Sequence, residues 1–438
     1  MASPVNPPRG MRDFLPADKA RREHALGVIK SVYRAHGFDE IETPVVEDYG
    51  RLHAGLGGDN EKLSFSILKR GITPDALAAA VEAGNPEQLA DLGLRFDLTV
   101  PLTRFYASHR AELPPVFRSL QIAPVWRAER PQKGRYRQFV QADIDIIGEA
   151  GLLAEIELIT ATSAALAALG LEGCAIRVND RRVLFGLLEH CGFDASQHDR
   201  ALITVDKLDK IGASGVVEEL REFDAAAAEK IGAVLAAVEP ALQGDGIALT
   251  REALDALEAS VLGISGNENA AAGLASLAEL GEALAGALPD GVAVRFDPTL
   301  VRGMGYYTGT IFEIAHPGSG SSVGGGGRYD GMVGRFLGQD VPAVGFSIGF
   351  ERVVDLISLP AHEGPDAVAL VFDRDVAPAD LAAIKRELVA RGHRVRLERR
   401  QKNMKTLLER IANEGFTSFA NVRAGVRDLD ALEIRSLS

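Results

Sequence analysis

The 438-residue chain has little cysteine and lacks any apolar run long enough to cross a membrane. Two thiols, Cys174 and Cys191, are too few for a disulfide framework or a four-thiolate zinc site. The longest uncharged apolar stretch, residues 158–171, is shorter than the roughly 20 residues that a membrane-spanning helix needs. The first ten residues form a proline-containing coil without the apolar core of a signal peptide. These absences predict a soluble, reduced, cytoplasmic protein with no membrane partner.

Two common nucleotide-binding motifs are also missing. The chain contains no Gly-x-x-x-x-Gly-Lys-[Ser/Thr] motif, and no Gly-x-Gly-x-x-Gly follows a predicted strand to open a helix. Glycines at those spacings let a backbone wrap phosphate groups at a helix N-terminus. The sequence therefore argues against a P-loop protein and against a dinucleotide-binding fold.

Charge and composition restrict the class further. Apolar residues make up 46% of the chain and charged residues 25%, which are ordinary globular values, and the length predicts about three domains. The net charge of −13 argues against a non-specific nucleic-acid binder, which needs basic groups to neutralise phosphates. Residues 361–438 differ, with 14 basic and 12 acidic side chains. This pattern is compatible with a polyanion that docks at selected places, although charged faces are commonly just solvated surface.

Apolar periodicity and chain breakers divide the sequence into segments. They predict a helix over residues 16–37, an extended segment over 38–46 and an alanine-rich helix over 151–170. Residues 171–291 are rich in Ala, Leu and Glu at helical spacing, which predicts a mostly helical insertion between two sheet-forming parts. Strands and helices alternate past Pro360, as is typical of a small parallel α/β domain. The elements predicted there are a strand at 367–372, a helix at 379–391, a strand at 394–397, a helix at 402–413 and a strand at 418–422.

A predicted hairpin over residues 117–147 is the first candidate for a functional site. Apolar and polar residues alternate along its second strand, so that one face meets a core and the other carries polar groups. The polar side chains of the two strands are Arg127, Glu129, Gln141, Asp143 and Asp145. They are typical of the floor of a polar pocket. The alternative is a solvent-exposed sheet face with compensating charges, which is a common arrangement.

A glycine-rich segment at residues 300–309 places an arginine and two tyrosines between predicted strands at 292–296 and 310–314. A hairpin turn is the simplest explanation. Because neighbouring side chains of an extended chain alternate in direction, Tyr306 and Tyr307 are expected to face opposite sides, one a core and one a pocket.

A second glycine cluster extends over residues 318–331 and is followed by a predicted strand at 341–349. Arg-Tyr-Asp interrupts the glycines, which a flexible linker does not require, and Tyr329 is available to contact a ligand. Arg352 lies in the first turn of the next helix, predicted from Phe350, and is placed to hold an anion there, unless it is an ordinary surface arginine.

These segments together resemble the histidyl-tRNA synthetases, a family of class II aminoacyl-tRNA synthetases. The surroundings of Pro44 look like the dimer-forming motif 1, residues 117–148 resemble motif 2, and residues 344–352 look like motif 3. Residues 300–309 and 324–331 match peptides particular to the histidine enzymes. The resemblance covers nearly the whole chain. It implies an α+β fold with an antiparallel six-stranded sheet, flanking helices, a helical insertion and a small C-terminal α/β domain of the anticodon-binding type.

The implied division is a first catalytic part over 1–170 with motifs 1 and 2, the insertion over 171–291, a second catalytic part over 292–360 with motif 3, and the anticodon-binding domain over 361–438. The implied function is ATP-dependent activation of L-histidine to histidyl-adenylate and its transfer to the 3′ end of tRNA(His). The implied enzyme is a homodimer that uses ATP with Mg²⁺, and its metal ligands stay unknown.

The resemblance also implies catalytic arginines and ATP contacts. Arg127 matches the arginine that bridges the substrate carboxylate and the α-phosphate, and its planar fork suits both groups. Arg302 matches a cation that stabilises charge at the α-phosphate, and Arg352 matches the arginine on the γ-phosphate. The remaining implied ATP contacts are Glu129 and Phe139 at the adenine, together with Arg135.

For the amino acid, the resemblance implies one group of residues at the α-amino end and another at the imidazole. Besides Arg127 and Arg302, the implied histidine contacts are Asp97, Thr99 and Gln141 near the amino group, Asp145 with Tyr306 or Tyr307 at the ring, and Tyr329 in the wall. A buried carboxylate bonded to a ring N–H rejects apolar side chains of the same shape, because they would leave it unpaired.

Contacts to tRNA are implied in two places. Gln132, Lys133 and Arg135 match the motif 2 loop, which meets the acceptor end of the tRNA. The phosphate candidates of the last domain are Arg399, Arg400, Lys402 and Lys405, for which a solvated face is the alternative.

One departure and two other functions remain to be weighed. The family usually has Asp where this chain has Gly305, so the support of Arg302 or Tyr306 is in question. A non-catalytic, synthetase-like regulatory subunit of histidine biosynthesis would lack the catalytic arginines and the terminal domain, both of which are present. A pseudo-synthetase that senses uncharged tRNA would have lost the ATP-binding arginines.

Overall fold

The structure, a computed structural model, describes residues 5–53, 64–132, 134–302, 305–358 and 366–437. The chain forms two compact units, one of residues 1–13 and 22–357 and the other of residues 14–21 and 358–438. The helices are α1 (Pro16–Ala35), α2 (Tyr49–Leu52), α3 (Pro74–Glu82), α4 (Thr99–His109), α5 (Leu153–Ala168), α6 (Arg181–Cys191), α7 (His198–Val205), α8 (Leu208–Arg221), α9 (Ala225–Gln243), α10 (Arg251–Leu257), α11 (Glu268–Leu284), α12 (Asp330–Leu337), α13 (Phe350–Leu356), α14 (Pro378–Ala390) and α15 (Met404–Asn413). The strands are β1 (Asp39–Glu40), β2 (Val46–Asp48), β3 (Phe65–Leu68), β4 (Ala90–Leu94), β5 (Phe117–Trp126), β6 (Gln138–Ile147), β7 (Cys174–Asp180), β8 (Ile247–Ala248), β9 (Val292–Phe296), β10 (Thr310–Ala315), β11 (Gly324–Arg328), β12 (Ala343–Gly349), β13 (Ala367–Phe372), β14 (Arg394–Arg399), β15 (Ser418–Val422) and β16 (Ile434–Ser436).

A nine-stranded mixed sheet dominates the first unit, with the order β1-β5-β6-β12-β11-β10-β7-β9-β8. Successive neighbours from β5 to β7 pair antiparallel. The flanking pairs β1–β5 and β7–β9 are parallel. The unit is therefore of mixed α/β type, and its sheet has more strands than the six expected from the sequence. A smaller sheet, β2-β4-β3, lies in the same unit.

The predicted hairpin of the large sheet is confirmed. β5 and β6 pair antiparallel from Phe117 opposite Ile147 to Trp126 opposite Gln138. The apolar face of β6 is buried at Ala142, Ile144 and Ile146 and half-buried at Val140, as alternation predicts. Its polar face is covered as well, since Asp143 is only 5% exposed. The alternative of a solvent-exposed sheet face is therefore wrong.

One detail of the hairpin differs from the prediction. Arg127 and Glu129 do not belong to the first strand, because β5 ends at Trp126. Both residues follow it in irregular chain, where the backbone N–H of Arg127 donates to the carbonyl of Arg137 at 2.9 Å. Strand alternation therefore does not explain why these two side chains face the same space.

The helical region between the two halves of the sheet begins later than composition suggests. Cys174–Asp180 is strand β7, an interior strand of the large sheet that pairs with β10 and β9. α6 starts directly after it, where the side chain of Asp180 accepts a hydrogen bond from the backbone N–H of Arg182 at 2.8 Å and caps the helix. Most of the chain from there to residue 284 is helical.

The glycine cluster contains a strand that the sequence did not predict. β11 runs through four consecutive glycines between β10 and β12. A Cβ atom added at Gly326 would lie 1.9 Å from the carbonyl oxygen of Gly345. Glycine is disfavoured in strands in general, but here the neighbouring strand comes too close for any side chain.

The second unit has the predicted alternation of strands and helices. β13 pairs parallel with both β14 and β15, which confirms the parallel α/β arrangement, and β16 adds an antiparallel edge. Buried apolar side chains cover both faces of this sheet in two separate clusters.

Among the described residues of the whole chain, no helix is both long and apolar enough to cross a membrane.

Candidate active site

A cavity of about 1180 Å³, including the part open to solvent, lies on one face of the large sheet. Every residue that the sequence analysis assigned to histidine or ATP lines it. These residues are Asp97, Thr99, Arg127, Glu129, Arg135, Phe139, Gln141, Asp145, Arg302, Tyr306, Tyr307, Tyr329 and Arg352. They come from chain segments more than 200 residues apart, and the sheet brings them together.

Three buried carboxyl groups occupy one part of this cavity. Asp143 and Asp145 project from β6, and Asp97 lies just before α4. The hydroxyl of Tyr329 donates a hydrogen bond to Oδ1 of Asp145 at 2.6 Å, and the backbone N–H of Val100 donates to Oδ1 of Asp97 at 3.1 Å. Oδ2 of Asp97 and Oδ1 of Asp143 are buried without a hydrogen-bond partner among the described residues. Unpaired buried oxygens of this kind are suited to accept bonds from a ligand.

Burial changes the acidity of these groups. It raises the pKa of Asp97 to about 6 and the pKa of Asp145 to about 7. Burial, followed by the nearby charge of Asp145, raises the pKa of Asp143 well above its usual range. The three groups therefore do not all carry charge near neutral pH, and a cationic ligand would favour their ionised forms.

The arginines of the cavity are held by backbone carbonyls and by carboxylates. Nε of Arg127 donates to the carbonyl of Phe96 at 2.9 Å, and its guanidinium lies over the ring of Phe139 at 5.2 Å from the centroid. Arg352 donates to the carbonyl of Ser322. These contacts fix the cationic groups before any anion arrives, which lowers the entropy lost on binding.

Tyr306 and Tyr307 both line the cavity, so the expectation that they face opposite sides is wrong. Strand alternation does not apply, because the two residues lie before β10 and outside any strand. Their ring centroids are 4.8 Å apart at an interplanar angle of 53°. Tyr329 closes the group, with its ring edge-on to Tyr306 at 6.1 Å.

The support of Arg302 does not depend on position 305. Gly305 is exposed in a turn. Nη1 of Arg302 instead donates to Oε2 of Glu313 on β10 at 3.0 Å. The departure from the family pattern therefore leaves Arg302 with a carboxylate partner.

Several further residues line the cavity without having been predicted, among them Tyr136 and Glu351. Glu351 accepts hydrogen bonds from both terminal nitrogens of Arg22, at 2.5 and 2.7 Å, and from Arg12. The guanidinium of Arg12 lies 3.5 Å from the ring centroid of Tyr136. Glu351 precedes Arg352 in the motif 3 segment, and this position could have indicated that it lies in the site. No local pattern points to Arg12 or Arg22.

The tRNA candidates are less well connected. Gln132 forms a short bridge with Arg135, whose guanidinium lies 3.4 Å from the carboxylate of Glu129, and Lys133 is outside the described residues. In the second unit, Arg399, Lys402 and Lys405 are exposed. Arg400 is half-buried and ion-paired with Asp373 at 2.8 Å, so a phosphate would have to displace that partner.

Metal ligands do not converge in the described part of the chain. Within the ranges given above, no group of three or more His, Cys, Asp and Glu side chains is arranged to hold a metal ion.

Comparisons with known proteins agree on one family. The model of the histidyl-tRNA synthetase family matches residues 10–353. A histidine–tRNA ligase of Leifsonia xyli subsp. xyli is 66% identical over 438 residues, which is the whole of both chains. A probable histidine–tRNA ligase of Tropheryma whipplei is 43% identical over 95% of each chain. A crystal structure of histidyl-tRNA synthetase from Nostoc sp. PCC 7120 matches 99% of this chain and 97% of its own, with a TM-score of 0.76 and 25% identity.

Proposed function

The chain belongs to the histidyl-tRNA synthetase family, and from this membership we propose that it is a histidine–tRNA ligase. It activates L-histidine with ATP and esterifies the histidyl group to the 3′ end of tRNA(His). The observation of the structure that supports this proposal is that Arg127, Arg302 and Arg352 line the same cavity as three buried carboxyls. An anionic triphosphate and an amino acid with cationic groups need such a mixed site.

In the first step the carboxylate oxygen of histidine attacks the α-phosphorus of ATP. An oxygen–phosphorus bond forms, the bond to the β-phosphate breaks, and pyrophosphate leaves. Arg127 holds the carboxylate and the α-phosphate together, and Arg302 stabilises the charge that develops there. Arg352 holds the γ-phosphate, while Phe139 stacks on the adenine and Glu129 accepts a hydrogen bond from its amino group. Mg²⁺ accompanies ATP and offsets phosphate charge.

Histidine selection depends on the buried carboxyls. Asp145, held by Tyr329, accepts a hydrogen bond from the imidazole, with Tyr306 and Tyr307 beside the ring. Asp97, Thr99 and Gln141 receive the α-amino group. An apolar amino acid of the same shape would leave Asp145 without a hydrogen-bond partner. Sites that bond a polar substrate group reject analogues lacking that group by roughly 10⁴-fold.

In the second step the terminal ribose hydroxyl of tRNA attacks the carbonyl carbon of the adenylate, and AMP leaves. Gln132, Lys133 and Arg135 meet the acceptor end, and Arg399, Arg400, Lys402 and Lys405 are the phosphate contacts of the 361–438 domain. Under this proposal, residues 1–170 and 292–360 form the catalytic domain together with strand β7, and the rest of 171–291 forms the insertion. The enzyme works in the cytoplasm.

We propose a homodimer as the working form. Apolar side chains that are strongly exposed in the single chain support it, and several lie in the smaller sheet and the helix beside it. They are Leu68 (61%), Leu77 (50%), Val81 (73%) and Leu92 (40%). Sedimentation equilibrium measures the mass directly, and a single-chain mass at micromolar concentration would exclude the dimer.

Histidine-dependent exchange of labelled pyrophosphate into ATP tests the enzyme function. The protein should exchange label with L-histidine and should not do so without amino acid. A folded protein that binds histidine without exchange would instead be the regulatory-subunit relative. A protein that binds tRNA without exchange would be the tRNA sensor.

A further inference from the structure

A row of side chains crosses the cavity face of the large sheet. Its successive cross-strand partners are Arg177, Glu313, Gly325, Ser347 and Asp143. Directly opposed residues of antiparallel strands lie side by side on one face. Gly325 contributes no side chain to this row, and a Cβ atom there would lie 2.8 Å from both Cζ and Nη1 of Arg302. The guanidinium of Arg302 therefore fills the slot that Gly325 leaves open.

Glu313 forms one wall of this slot. Its Oε2 accepts the hydrogen bond from Nη1 of Arg302 at 3.0 Å, and its Oε1 accepts one from Arg177. Arg177 is itself ion-paired with the buried Asp297 at 3.2 Å. The carboxylate of Glu313, which is 14% exposed, thus lies between the guanidinium groups of Arg302 and Arg177, and Asp297 holds the second of these in place.

The carboxylates of Glu313 and Asp206 both attract Arg302, and among the described residues Glu313 is the one that hydrogen-bonds it. Within the described ranges, the bond to Glu313 is the one side-chain hydrogen bond of Arg302, and its Nε is buried without a partner. Arg302 also lies in irregular chain before a turn, not in a strand. A long flexible side chain on such a segment takes its direction from the partners of its head group.

We propose that Glu313 is a positioning residue that holds the Arg302 guanidinium in the Gly325 slot, in the orientation in which it meets the substrate anions. The inference rests on the proposed function, because it assigns Glu313 a role in adenylate formation through Arg302. Arg177 and Asp297 serve as the rear support of the carboxylate.

Two substitutions separate charge from shape. Glu313→Gln keeps the shape and removes the charge, and Glu313→Asp keeps the charge on a shorter side chain. If Glu313 positions Arg302 by ion pairing, kcat for pyrophosphate exchange should fall about tenfold or more in the Gln variant. The KM for ATP of that variant should change by less than about threefold. The Asp variant should retain more activity than the Gln variant. A Gln variant as active as the Asp variant, or more active, would overturn the proposal.

A double-mutant cycle tests whether Glu313 acts through Arg302. Adding Glu313→Gln to Arg302→Ala should lower the rate of adenylate formation by less than about twofold further, because the partner is already gone. Multiplying effects would show that Glu313 acts elsewhere. Glu282→Gln, at an exposed ion pair with Arg251, is the matched control and should leave exchange unchanged. Absence of exchange in the unmodified protein would count against the proposed function, whereas normal exchange in Glu313→Gln would count against this inference alone.

Discussion

Individual side chains of the cavity are placed at a cost to the folded protein. Asp97, Asp143 and Asp145 are all at most 5% exposed, so their ionised forms lose hydration when the chain folds. Binding of a cationic ligand offsets this loss of hydration, because the carboxylates then gain partners that they lack in the ligand-free cavity. Ligand affinity and stability are therefore linked at these residues.

Asp145→Asn tests that link through pH. Burial raises the pKa of Asp145 to about 7 from 3.8. The native state therefore binds this proton more tightly than the unfolded chain, and the contribution of Asp145 to the free energy of unfolding decreases as pH rises from about 4 to about 7. The Asn variant should have a melting temperature about 2 °C or more above the unmodified protein at pH 8, with a smaller difference at pH 5. Asp91→Asn, at an exposed position, is the control, and a gap that does not change with pH would contradict the expectation.

Arg302→Ala should lower histidine-dependent pyrophosphate exchange by about 100-fold or more, because a fixed cation at the α-phosphate is lost. The fold should persist, since Glu313 keeps its ion pair with Arg177. Circular dichroism and the melting temperature check the fold. Arg251→Ala removes an exposed arginine from its own ion pair and should leave exchange unchanged. Near-normal exchange in Arg302→Ala would show that the role is wrongly assigned.

Among the elements, β11 has the most unusual part in the site. It supplies backbone and space, while its neighbours supply the side chains. A Cβ atom at Gly327 would lie 2.9 Å from the ring of Tyr307, and one at Gly345 on β12 would lie 2.1 Å from Oδ1 of Asp145. The absent side chains of these strands define where the functional groups of other segments are placed.

Gly326→Ala should destabilise the first unit by several kcal/mol, which is large for one methyl group. The new Cβ would meet the carbonyl of Gly345 at 1.9 Å, and strand pairing leaves neither backbone free to move. Gly320→Ala has nothing within 4 Å of its Cβ and should change the free energy of unfolding by less than about 0.5 kcal/mol. Urea unfolding of both variants measures the difference. Equal stabilities would mean that β11 is not packed this tightly.

β11 also shows what the sequence could and could not predict at this scale. β5, β6, β13 and β15 have apolar, β-branched or alternating patterns, and the sequence located them. β11 consists of four glycines and Arg328, which is too few side chains for a pattern, so its partners make it a strand. The prediction that Tyr306 and Tyr307 face opposite sides was wrong for a related reason. Side chains alternate in direction only where strand pairing keeps the chain extended. The position of Glu313 opposite Gly325 and Arg177 depends on strand register, which no local pattern encodes.

At the scale of the whole molecule, the proposed substrate contacts and the proposed phosphate contacts of the 361–438 domain fall in different units. The residues proposed for histidine and ATP all lie in the first unit, and the exposed basic residues Arg399 and Lys402 lie in the second. Alternation of strands and helices past residue 360 predicted a separate α/β domain there, and the family resemblance implied its contact with tRNA. The sequence did not predict that Arg400 is engaged by Asp373, because that contact joins two loops at the ends of strands.

A double substitution, Arg399→Ala with Lys402→Ala, should separate the two activities. Affinity for tRNA(His) should decrease and the slope of log K against log salt should become shallower by about one to two, since two phosphate contacts are lost. Pyrophosphate exchange, which needs no tRNA, should be unchanged. Arg391→Ala, at an exposed ion pair with Glu387, is the matched control for tRNA binding. An unchanged salt slope in the double variant would indicate that these side chains are solvated surface.

The position of β12 in the large sheet has a consequence for synthesis on the ribosome. β12 pairs with β6, although the two strands are about 200 residues apart in the chain. The β5–β6 hairpin therefore leaves the ribosome long before β12 is synthesised. Until then the edge of β6 that pairs with β12 exposes unpaired backbone groups. Such edges are prone to intermolecular pairing in nascent chains, and contacts between distant segments form slowly. We expect the nascent chain to need protection by chaperones until translation has passed residue 349.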